Sequence, residues 1–175
     1  MKTSATLTAI LLFAATGLSL AQETGDSGHA GISAQEFIEK AGAGGLAEVD
    51  MGELGSKKAT SRQVKSFAKQ VVADHTKANN ELMAASKGKG QVPSARDPEH
   101  KAMMDKFQQM EAGKEFDRDY MAQMVADHKA DIELFETAAD DAKLDTELRA
   151  YAKKTLPTLR DHLSQAQAIE SKLVN

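Results

Sequence analysis

The chain has no cysteine and no tryptophan, and only 5% of its 175 residues are aromatic. Without cysteine there are no disulfides, so an apolar core must hold the fold together. Thiolate zinc sites, iron–sulfur clusters and cysteine nucleophiles are excluded as well. Any metal must be held by His, Asp, Glu or Met. A strong charge of one sign is also missing. The net charge is −4 at pH 7, acids and bases are interleaved, and no basic patch carries aromatics. That argues for solubility and against nucleic acid as a partner. No stretch alternates polar and apolar residues with period two, so no strand is expected. G-x-S-x-G, a P-loop, G-x-G-x-x-G after a strand and H-E-x-x-H are all absent, and no catalytic motif points to an enzyme.

Long apolar runs are scarce too. The one at the N-terminus reads as an export signal. Lys2 gives a positive start, residues 7–20 are apolar or small, and Ser19-Leu20-Ala21 offers small side chains where a signal peptidase cuts. Cleavage after Ala21 is expected, with an uncleaved anchor as the competing reading. The run is short for a membrane span, and no other segment is apolar enough to be one. Cleavage removes one lysine and no acid, which takes the charge from −4 to −5 and leaves about 154 residues, enough for one domain. Residues 22–32 read as a flexible leader carrying His29, and residues 33–175 as one helical domain.

The apolar period from residue 33 onward is helical. Ser33 with Glu36 forms a capping-box pattern that opens a helix to about residue 59. Ser61 opens a second helix to about residue 87, where Gly88-Lys89-Gly90 stops it. Residues 91–96 read as a crossover loop. Asp97-Pro98 then begins a short helix to about residue 111. Gly113 breaks that helix, and two long helices follow, at about 115–140 and 145–173, the last with Pro157 inside and an expected kink. Four long helices plus a short one in the crossover between the second and third predict an all-α, ferritin-like four-helix bundle. An up-down-up-down bundle is the competing arrangement.

The dipeptide Asp-His occurs three times: Asp74-His75, Asp127-His128 and Asp161-His162. Val72-Ala73-Asp74-His75-Thr76-Lys77-Ala78 is echoed by Val125-Ala126-Asp127-His128-Lys129-Ala130. Each histidine sits in the apolar stripe of its helix. The second long helix reads Val64, Phe67, Val71, His75, Ala78, Leu82. The third reads Tyr120 or Met121, Met124, His128, Ile132, Phe135, and the last reads Leu148, Ala152, Thr155, Leu159, His162, Ala166, Ile169, Leu173. On the first long helix Glu48 fills the equivalent slot. Four core positions on four helices are therefore polar.

Burying a carboxylate and three imidazoles without partners is costly. One solution is a hydrogen-bonded network. The other is a transition-metal ion (zinc, iron, manganese or copper) bound by Glu48, His75, His128 and His162. Calcium is unsuited to such nitrogen donors. Asp74, Asp127 and Asp161 are expected either as acceptors that orient a ring from a neighbouring helix, as alternates one position away, or as solvated flanks. Met103, Met104, Met110, Met121 and Met124 read as core filler, with thioether ligation of Cu(I) as the rival reading. His100 reads as a helix-face residue. Gly42, Gly44, Gly45, Gly52 and Gly55 cost the first helix stability; they serve either close approach of another helix or space beside Glu48.

The segments Gly45-Leu46-Ala47-Glu48, Phe67-Ala68-Lys69-Gln70, Val72-Ala73-Asp74-His75, Phe116-Asp117-Arg118-Asp119-Tyr120-Met121, Val125-Ala126-Asp127-His128 and Thr155 to His162 resemble the exported bacterial proteins called domain of unknown function 4142 (DUF4142). The resemblance covers about residues 33–170. It implies a ferritin-like fold and a periplasmic or cell-envelope location, and names no activity. Ferritin-like di-iron proteins carry Glu-x-x-His on two helices. Here the residues three before the histidines are Val72, Val125 and Leu159, which argues against a di-iron centre. The expected function is an exported, non-enzymatic protein that binds a metal at a mononuclear site, with a role in stress. A structural or interaction module with a polar core is the alternative, and a metal-dependent oxidase ranks last.

Overall fold

The chain is described by a computed structural model that covers residues 31–95 and 98–174. The expected signal segment, residues 22–30 of the expected leader with His29, and the N-cap Asp97 lie outside the described residues; Ile32, at the end of the expected flexible leader, is instead buried in the core. The described residues form five helices in order: α1 Ala34–Lys58, α2 Arg62–Ala85, α3 Pro98–Gln109, α4 Lys114–Asp140 and α5 Thr146–Val174. Among the described residues there is no strand, and no helix is long and apolar enough to cross a membrane.

The helix ends follow local chemistry. Ser33 Oγ accepts the Glu36 N–H at 3.2 Å and starts α1. Asp145 Oδ1 accepts the N–H groups of Glu147 at 2.9 Å and Leu148 at 3.3 Å, starting α5. Gly88, at φ 75°, occupies the left-handed region just beyond the end of α2, a turn that a side chain would strain. The start of α2 departs from expectation. The Ser61 side chain makes no capping bond. Instead the buried carboxylate of Asp117, on α4, accepts the N–H groups of Thr60 and Ser61 at 2.8 and 2.7 Å and the Thr60 hydroxyl at 2.6 Å. Pro157 lies inside α5 on its exposed side.

Two apolar clusters form the core. One gathers Met51, Val64, Phe67, Val71, Phe116, Tyr120, Met124 and Ile169. The other gathers Phe37, Ile38, Leu82, Phe135, Leu148, Tyr151 and Leu159. Each long helix contributes to both, and the order in which it does so gives its direction. α1 and α5 run from the Phe37 cluster toward the Phe67 cluster; α2 and α4 run the other way. The chain must therefore travel back along the molecule between α2 and α4. Residues 86–113 make that journey, and α3 packs on α1 during it, placing Met104 and Phe107 in the Phe67 cluster. Lys58 Nζ donates to the carbonyls of Phe107 and Gln108 near the end of α3. Gly52 lets α1 and α2 approach closely, since a Cβ there would meet Val72 Cγ2 at 2.7 Å and the Ala68 carbonyl at 2.9 Å.

Candidate metal centre

Between the two clusters every long helix carries one buried polar residue. Glu48 lies between Ala41 and Met51, His75 between Val71 and Leu82, His128 between Val125 and Phe135, and His162 between Leu159 and Ala166. The four are at most 6% exposed, and His128 and His162 are fully buried. They form a single polar layer across the core.

Within that layer the three histidines converge. One nitrogen from each of His75, His128 and His162 lies within 4.8 Å of the other two. Ring centroids are 5.2 Å apart for His128 and His162, and 5.6 Å apart for each pairing with His75. The outer ring nitrogens fix the tautomers. His128 Nδ1 is 2.9 Å from the Met124 carbonyl, which only accepts, so Nδ1 carries the hydrogen. His162 Nε2 is 2.9 Å from Asp74 Oδ2 and likewise donates. The inner nitrogens, His128 Nε2 and His162 Nδ1, then face each other at 3.2 Å with a lone pair apiece. His75 Nε2 is buried and has no hydrogen-bond partner.

Electrostatics keep the rings neutral. Burial holds the pKa of His75 well below the ordinary histidine value, and the neighbouring His128 and His162 push it the same way. Burial also lowers His128 and His162, against the opposing pull of Asp131 on the first and of the Asp74 hydrogen bond on the second.

Glu48 joins the layer from the other side of His128. Its Oε1 is 3.7 Å from His128 Nδ1, the nitrogen that faces away from the other two histidines, and its Oε2 is buried without a partner. Burial raises its pKa well above the carboxylate range, and the charge of Asp127 adds to the effect. The convergent group is thus three imidazoles with Glu48 beside it.

The three aspartates part company. Asp74 orients His162 across from α2 to α5. Asp127 accepts from Gln123 at 2.8 Å and borders a cavity of about 60 Å³ with Glu48, Asp131 and His100. Asp161 faces solvent and accepts from Gln165 at 2.7 Å, the solvated-flank alternative of its three expected places. A residue one step from the core stripe is turned about 100° around the helix axis. Whether that direction meets a neighbour depends on which side the neighbour packs. Two acids went unassigned in sequence. Asp117 holds the α1–α2 junction. Asp131 stands beside the layer with its pKa raised to about 7 by burial and by Glu48. The signal for Asp131 was its spacing, four residues after Asp127 and three after His128, which puts all three on one helix side.

A crystal structure of a DUF305 fragment from Deinococcus radiodurans is similar to this chain with a TM-score of 0.66 at 12% sequence identity, covering 78% of this chain and 93% of that one. At that identity the likeness speaks for the fold alone. Among curated proteins no match was found. The sequence profile of the family described as a domain of unknown function, DUF4142, matches residues 19–169, and this chain belongs to that family.

Proposed function

We propose that this protein is an exported, periplasmic metal-binding protein that holds one transition-metal ion through His75, His128 and His162. The observation that carries the reading is the pair of inward lone pairs on His128 and His162, 3.2 Å apart, with the orphaned His75 nitrogen beside them. Two lone pairs at that distance repel unless a cation lies between them. Burial disfavours a proton in that role at neutral pH, because it lowers the pKa of all three rings. A metal ion suits the distance. Nitrogens about 2.0–2.1 Å from a tetrahedral ion stand about 3.3 Å apart. Three imidazoles and no thiolate favour Zn(II) or Cu(II) over Mn(II). Asp74 fixes the His162 tautomer, as carboxylates do behind histidine ligands of zinc. Glu48, on the Nδ1 side of His128, is assigned to balance the ion's charge.

The helix directions and the long connection between α2 and α4 support a ferritin-like four-helix bundle. Export rests on the N-terminal sequence, and a role in stress is part of the same reading. Binding is preferred to catalysis because the Glu-x-x-His pattern of di-iron oxidases is missing.

A hydrogen-bonded core without metal is the second reading, and the bonds of His128 to Met124 and of His162 to Asp74 favour it. Calorimetric titration of Zn(II) into chelator-treated protein, purified without a histidine tag, separates the two. One ion per chain is expected, with no heat from His128→Ala. A flat titration of the unaltered protein with Zn(II), Cu(II), Fe(II) and Mn(II) in turn leaves the polar-core reading.

A further inference from the structure

On the side of the molecule where α1, α3 and α4 meet, neighbouring hollows that share lining residues lie between the surface and the polar layer. A groove of about 570 Å³ is bordered by Glu36, Lys40, Glu133, Gly44, His100, Ala130 and Asp131. Those last four also border the cavity of about 60 Å³ that contains Glu48 and Asp127. A void of about 10 Å³ next to His75 is bordered by Asp131 and Gly45. Asp131 is the residue common to all three spaces.

The chemistry along these hollows is that of a cation path. Glu48, Asp127 and Asp131 supply carboxylate oxygens, with His100 beside them. Glu48 Oε2 is buried, borders the cavity and has no hydrogen-bond partner, so it offers an unused acceptor one step from the histidines. The space is maintained by a missing side chain. A Cβ at Gly44 would meet Asp131 Oδ1 at 3.4 Å, an ordinary contact, so alanine fits there and takes up room at Asp131.

We propose that this passage is the route by which a divalent cation reaches the three-histidine centre, and that Asp131 is the carboxylate that takes the ion from the outer groove and delivers it to His75. The proposal rests on the metal-binding reading above. Asp131 is a relay here and not a ligand of the final site. Its removal should therefore slow arrival and departure together.

Stopped-flow absorbance with Co(II), whose visible bands report tetrahedral nitrogen ligation, tests this on the full chain. Asp131→Asn is expected to lower the association rate about tenfold or more, the scale on which a focused charge acts on arrival. The dissociation rate should fall too, so that the dissociation constant weakens by clearly less than the association rate falls. Gly44→Ala, which improves helix propensity while narrowing the passage, should slow association with no change in charge. Asp140→Asn, exposed on the same helix and off the passage, should change neither rate. Equal association rates in Asp131→Asn and the parent overturn the route, as does a dissociation constant that weakens as far as the association rate falls. If the unaltered protein takes up no Co(II) at equilibrium, the metal-binding reading fails, and the route fails with it.

Discussion

Asp74 and His162 are 88 residues apart in the chain and 2.9 Å apart in the fold. The sequence marks both, because the Asp-His dipeptide repeats and each histidine falls in an apolar stripe. It does not say which aspartate reaches which ring. That pairing depends on which side α2 and α5 present to each other, and only one of the three aspartates orients a ring from a neighbouring helix. Asp74→Ala removes the acceptor that sets the His162 tautomer. Metal affinity should fall about 10- to 100-fold while the far-UV spectrum is unchanged, as read by competition with a chromophoric chelator. The titrating groups of the layer pull in opposite directions with pH. The histidines are lowered in the folded state, so they bind protons more readily when unfolded. Their contribution to stability is present above about pH 6.5 and is lost as the pH falls. Asp131 is raised from 3.8 to about 7, so its favourable protonation is fully present below about pH 3.8 and is lost as the pH rises from there to 7. Metal-free Asp131→Asn should therefore melt a few degrees above the parent at pH 8, with a smaller gain at pH 5, as followed by scanning calorimetry. An equal gain at both values would mean that Asp131 is not buried enough to feel the layer.

At the scale of elements, the five helices were legible with ends within about two residues, since capping serines, glycine stops and a 3.6-residue period are local signals. What holds the start of α2 was not. Ser61 has the right residue type in the right place, yet the bonds come from Asp117, 56 and 57 residues further on. No local pattern carries that information, because a carboxylate in the first turn of a helix reads equally well as a favourable charge at its own N-terminus. Asp117 is 2% exposed and receives two backbone N–H groups and a hydroxyl. Asp117→Ala leaves those donors without an acceptor and opens the junction of α1, α2 and α4. A loss of about 2–4 kcal/mol is expected. In urea titration the midpoint should drop while the slope stays constant, which separates a weakened native state from a changed unfolded one.

The whole molecule is a core divided in two by a polar layer, and that division was legible because the same heptad slot turns polar on each long helix. The side of His128 on which Glu48 lies was not, since a register places a residue at a height and leaves its direction open. A divided core stakes its stability on what fills the layer. Without an ion, His75 Nε2 and Glu48 Oε2 are buried and unpaired, each a cost of about 1–3 kcal/mol. An ion that binds only the folded state adds RT ln(1 + [L]/Kd), about 2.7 kcal/mol at a hundredfold excess over Kd. For a domain of this size that is a rise of several degrees in Tm. Zn(II) or Cu(II) at neutral pH should produce it. The rise should shrink below about pH 6, where protons compete for imidazole nitrogens that must be neutral to coordinate. His75→Ala and His128→Ala should abolish it. His29→Ala should leave it intact, because that histidine precedes the helices that build the layer. A Tm that stays the same with and without every divalent ion tried would mean that the layer fixes only the register of the four helices.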